Sequence, residues 1–148
     1  MLADSIFSQA KREAAVRYAW TFLGLPYHWG GDDPIRGFDC SGLVIEVLKS
    51  VGLLPPNYDT TANGLYIRYA SKVVAQGYAG CLLFWFNSQM IATHIELMVD
   101  DYHAIGASGG GSSTTSQQAA IDQNAYVKLR PINYRGQGYK IVDPFKVP

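Results

Sequence analysis

Tyr27-His28-Trp29-Gly30-Gly31-Asp32-Asp33-Pro34-Ile35-Arg36-Gly37-Phe38-Asp39-Cys40-Ser41-Gly42-Leu43-Val44 is the stretch from which the fold is read. Gly30, Gly31, Pro34 and Gly37 interrupt any regular element before Asp39. After it, Leu43, Val44, Val47, Leu48 and Val51 recur at helical spacing. A glycine-rich loop therefore runs straight into a helix. Asp39 suits the N-cap, because its carboxylate can accept from the free N–H groups of the first turn. Cys40 then occupies the first helical position. There the positive end of the helix favours a thiolate. The Cys40 N–H, lacking a helical partner, is free to meet a developing oxyanion.

A nucleophilic cysteine needs a base. The chain offers His28, His94 and His103. His94 lies in an alternating run with Ile95, Leu97 and Val99, which reads as a strand. A rigid strand can hold an imidazole within reach of sulfur, as Cys/His catalysis requires. His28 sits between two aromatics and reads as a rim residue, and His103 as a surface strand residue. Neither the cysteines nor the histidines fall at a zinc-ligand spacing, so no metal and no cofactor is expected.

Pro26-Tyr27-His28-Trp29-Gly30-Gly31, the Phe38-Asp39-Cys40-Ser41-Gly42-Leu43-Val44 block and the Thr93-His94 strand together resemble the NlpC family of papain-like bacterial cell-wall peptidases. The likeness runs over residues 14–127, as a phage-type or prophage-type member. It implies Cys40 as nucleophile and His94 as base. It implies Tyr27 beside the Cys40 N–H at the oxyanion site, and Asp39 and Ser41 lining the pocket for an acidic peptide stem. The implied reaction is cleavage of peptidoglycan between γ-D-glutamate and the diamino acid. Two positions depart from the family pattern. The third polar residue usual twelve positions after the base is replaced by Gly106, and the usually small residue two after the base is Glu96. Glu96, on the strand face of His94, is one candidate for orienting the imidazole; His103 and Ser108 on the facing strand are others. Two further functions stay open: a weakened module that binds cell wall or sits in a phage tail, and a Cys/His amidase or acyltransferase.

The expected fold is α+β and NlpC-type, with N-terminal helices packed on a central antiparallel sheet. The 148 residues, 48% hydrophobic, suit a single domain over residues 1–148. Twelve basic and twelve acidic residues cancel, which gives no electrostatic case for nucleic acid or an anionic membrane surface. Lys128, Arg130 and Arg135 form at most a small basic patch. Cys81 precedes the apolar run Leu82 to Phe86 and reads as a small buried residue rather than a disulfide partner. No secretory signal is visible at Met1, and no apolar run approaches the ~20 residues that span a bilayer. Action on cell wall would then follow lysis, delivery in a particle or dedicated export, with phage tail or lysis proteins as partners.

Periodicity places a first helix over residues 4–23, with Ile6, Ala10, Ala14 and Ala19 on its apolar side. A third helix over residues 60–72 is capped by Asp59 or Thr60. Strands follow over 82–86, 91–99, 102–107, 126–132 and 139–142, and Ser116 caps a short helix over 117–123. Residues 106–116, rich in glycine and serine, read as a flexible rim or lid. Order ends at Asp143-Pro144-Phe145.

Overall fold

The structure, a computed structural model, describes residues 2–147, with side chains from Ile6 onward. Helix α1 (Leu2–Trp20) leads through a short ribbon, β1 (Asp32–Asp33) and β2 (Gly37–Phe38), into α2 (Cys40–Ser50). Helix α3 (Ala62–Tyr69) continues as a 3-10 turn over Ala70–Lys72. The strands are β3 (Val73–Val74), β4 (Leu82–Phe86), β5 (Ala92–Met98), β6 (His103–Ser108), β7 (Tyr126–Pro131) and β8 (Tyr139–Val142), with α4 (Gln117–Asp122) between β6 and β7. They form one antiparallel sheet in the order β3-β8-β4-β5-β6-β7. This is the expected α+β arrangement.

Alternation along the strands builds two cores. Leu82, Phe84, Ile95, Leu97, Ile105 and Ala107 face α1–α3 and close over Leu43, Val44, Val47 and Leu48 of α2. Leu83, Trp85, Met98, Ala104 and Ile141 face the other way, under Tyr134. Removing such side chains from water drives assembly, at about 1.5–3 kcal/mol for each large one.

Several expectations shift. Helix α1 ends at Trp20, because Thr21, Phe22 and Leu23 bond three residues back in tightened turns. Its buried stripe is Ala15 and Ala19; Ile6 and Ala10 are exposed. The cap of α3 is Thr61, whose Oγ1 accepts from the Gly64 N–H at 3.1 Å, rather than Asp59 or Thr60. Strand β8 enters the sheet interior between β3 and β4.

Residues 106–116 are tied down despite their composition. The first three belong to β6, and Thr114 is fully buried. The Thr114 Oγ1 accepts from the Gly111 N–H and donates to Gln123, while its carbonyl accepts from Trp29 N–H at 2.7 Å. Asp143 anchors the C-terminal segment. That side chain is buried, holds Arg12 at 2.9 and 3.0 Å and Tyr78 Oη at 2.6 Å, and closes the C-terminal segment onto α1.

Candidate active site

Asp39 caps α2 as its chemistry dictates. Its Oδ1 accepts from Gly42 N–H at 2.7 Å and from Ser41 Oγ at 3.3 Å, and its Oδ2 accepts from Gly30 N–H at 3.1 Å. One carboxylate thus fixes both the helix start and the glycine loop before it. The loop can approach this closely because Gly42 has no side chain: a Cβ there would lie 2.0 Å from the Gly31 carbonyl oxygen. Burial raises the Asp39 carboxyl above its ordinary value, against the pull of the Gly42 and Gly30 N–H groups and Ser41.

Cys40 is the first residue of α2 and half-buried. Burial pushes its thiol up to about 11, and the Asp39 carboxylate adds to that. The backbone N–H groups of Ile95, Ser41 and Cys40 pull the other way and do not prevail. Burial thus opposes the thiolate preference expected from the helix start.

His94 lies on β5 opposite Trp85 of β4. One step before it, Phe86 pairs with Ala92, so Thr93 is an extra residue on β5. Such a bulge bends the strand and re-aims the neighbouring side chain. The His94 ring packs on Trp85 at a centroid distance of 5.3 Å, and its Nε2 meets Glu96 Oε2 at 2.7 Å. Burial lowers the His94 pKa, while Glu96 raises it and Arg135 and Arg130 lower it further. Burial thus disfavours the charged forms of both Cys40 and His94.

Cys40 and His94 line one cleft of about 480 Å³. Tyr27, Asp39, Ser41 and Ser108 line it too. Tyr27 is buried, and burial first, with the neighbouring Cys40 and Asp39 groups after it, raises its hydroxyl pKa. Thr60 and Thr61 edge the same cleft, and Asn63 Oδ1 accepts from Ala92 N–H at 3.0 Å, tying α3 to the start of β5. His103 lies away from it, at the β5–β6 turn, where its Nδ1 meets Asp100 at 3.1 Å. His28 contributes backbone bonds, to Phe38 and Gly31. Cys81 is fully buried in the opposite core. Among the described residues, no three His, Cys, Asp or Glu side chains gather at metal-ligand distances, and no helix is long and apolar enough to cross a membrane.

Two residues escaped the sequence reading. Tyr134 donates to Glu96 Oε2 at 2.9 Å, and Arg135, which edges the cleft, donates from Nε to Tyr134 Oη at 3.0 Å. The small basic patch foreseen from Lys128, Arg130 and Arg135 is absorbed by aromatic rings: Lys128 lies over Tyr126, Arg130 over Tyr134, and Arg135 over Trp85 and Tyr134. No spacing signal marks Tyr134 and Arg135, which follow the last residue of β7 in an irregular loop.

The chain is similar to known proteins in sequence and in fold. The chain is 37% identical over 92 residues to the probable endopeptidase YafL of Escherichia coli, covering 60% of this chain and 36% of that protein. It is 29% identical over 102 residues to the bifunctional muramidase/DL-endopeptidase CwlT of Bacillus subtilis, covering 67% and 30%. The chain thus spans about a third of the length of these two relatives. In fold it is similar to the peptidoglycan hydrolase RipB of Mycobacterium tuberculosis, with a TM-score of 0.69 at 22% identity over 95% of this chain and 67% of that one. The sequence pattern of the NlpC/P60 family matches residues 24–131, which takes in the capped loop, Cys40, the bulged strand and His94, and the chain belongs to that family.

Proposed function

We propose that this chain is a cysteine endopeptidase acting on peptidoglycan stem peptides. The observation that carries the reading is the convergence of Cys40, at a helix start, and His94, on a bulged strand, in one cleft. As the Cys40 sulfur attacks the scissile carbonyl carbon, the thiol proton passes to His94. The negative charge that gathers on the carbonyl oxygen is met by the Cys40 N–H and the Tyr27 hydroxyl. Collapse breaks the C–N bond, and His94 returns the proton to the leaving amine. Water, deprotonated by His94, then hydrolyses the thioester and regenerates the thiol.

Tyr27 suits its part because a phenol held protonated remains a donor throughout. Asp39 and Ser41 form the polar end of the cleft for the stem peptide. The preferred scissile bond is γ-D-glutamyl–diamino acid, in keeping with the name DL-endopeptidase carried by the Bacillus subtilis relative.

Digestion of purified sacculi with mass analysis of the products tests this reading. The wild-type chain is expected to release stem peptides cut after γ-D-glutamate, and Cys40→Ala to release none. Equal release by the variant would remove Cys40 from the chemistry. Products cut elsewhere would retain the enzyme and change its bond.

A further inference from the structure

A neutral imidazole works as a base only if the proton sits on its far nitrogen and the ring is held still. The hydrogen bonds behind His94 fix both. Arginine can only donate, so Arg135 Nε–H gives to Tyr134 Oη. The Tyr134 hydroxyl then gives its proton to Glu96 Oε2. With that oxygen acting as acceptor, His94 donates to it from Nε2–H across 2.7 Å, and the free lone pair is left on Nδ1. The His94 and Glu96 side chains are only 9% and 3% exposed, so water offers little competition. Rings on Trp85 and Tyr134, both covered by the Arg135 guanidinium, close the arrangement.

The facing strand shows why Glu96 fits. Leu97 pairs with Ile105 and Met98 with Ala104, and the same register continued places Glu96 opposite Gly106. A Cβ on Gly106 would lie 2.3 Å from Glu96 Cγ, 2.8 Å from Cδ and 3.0 Å from Oε2. Any side chain at position 106 and this Glu96 conformer exclude one another.

We infer that the orienting group has moved across the sheet: Glu96 on β5 is the positioning residue for His94, Gly106 on β6 is the space it needs, and Tyr134 with Arg135 sets the direction of its hydrogen bonds. The inference rests on the Cys40/His94 reading and deepens it. The groups facing His94 are Glu96 on its own strand, Arg130 on β7 and Arg135 on the following loop.

The test is a set of four variants, Glu96→Ala, Glu96→Gln, Gly106→His and the double variant Glu96→Ala/Gly106→His. Each is read by kcat and KM on a soluble stem peptide and by the pH dependence of Cys40 alkylation with iodoacetamide. Glu96→Ala should lower kcat by about 10–100-fold with KM little changed. It should also move the acid limb of alkylation to lower pH, because Glu96 is what holds the imidazole pKa up. Glu96→Gln, which still accepts from Nε2–H, should recover part of the loss. Gly106→His alone should impair the enzyme, and the double variant should exceed both of its parents. Wild-type kcat and an unmoved acid limb in Glu96→Ala would overturn the inference. If that variant does not fold, Glu96→Gln no more active than Gly106→His, with a double variant no better than either, overturns it equally. A wild-type chain whose Cys40 alkylation responds as described while stem peptide stays intact would spare this inference and refute the endopeptidase reading.

Discussion

The two cysteines sit in different halves of the molecule and differ in almost everything except acidity. Burial raises both thiols to about 11. Cys81 precedes β4 in the core on the far side of the sheet, fully enclosed, beside Tyr78 and the Arg12–Asp143 ion pair. Cys40 opens onto a cleft and has a buried imidazole lining the same walls. A candidate nucleophile and a packing residue thus have different surroundings. Access and a fixed base separate them.

The largest way to break that contrast is to exchange the two positions in function. Cys40→Ala should cost more than about 10³-fold in sacculus digestion, while Cys81→Ala stays within about twofold; hydrolysis assays on matched protein concentrations decide it. Next comes the base. His94→Ala should lower kcat by about 10²–10⁴-fold, measured on the same substrate, with the fold checked by circular dichroism. The pH profile sharpens the point. Because burial lowers the His94 pKa, the rate should rise through a midpoint below 6.5 and stay flat to pH 9, where the imidazole is neutral and the thiol still protonated.

The Cys81 half should answer in stability instead. Burial alone would raise the Asp143 carboxyl, but hydrogen bonds from Arg12 and Tyr78 overcome it and leave the group below its ordinary value. Its contribution is therefore complete above the unfolded value of ~3.9 and is lost as pH falls through the lower, folded one. Asp143→Asn should cost about 3–5 kcal/mol at pH 7 in urea unfolding, with a gap that narrows below pH ~4. Cys81→Ala, which removes one buried sulfur, should cost about 1 kcal/mol by the same measurement.

Much of the catalytic half was legible because its signals are local. Asp39 before an apolar period of 3.6 marks a cap, and alternation around His94 marks a strand; both lie where expected. What stayed hidden depends on partners distant in sequence. The Cys40 thiol is raised by burial that distant elements supply and then by Asp39, the residue needed as the cap. The glycine-rich segment read as mobile, yet Thr114 is locked by Gln123 and Trp29, which no composition count reveals. Tyr134 and Arg135 gained their place only when the sheet brought the loop after β7 over Trp85 and Glu96. The pairing of the C-terminal Asp143 is hidden in the sequence because Arg12, its partner, lies near the other end of the chain.

Competitive labelling of the two thiols in the folded protein probes the Cys40/His94 pair most directly. Limiting iodoacetamide at pH 7, followed by peptide mapping, should modify Cys40 and leave Cys81 untouched until urea unfolds the chain, and His94→Ala should slow the labelling of Cys40 several-fold. Equal labelling of both cysteines, or a Cys40 rate indifferent to the loss of His94, would show that the imidazole does not serve the sulfur.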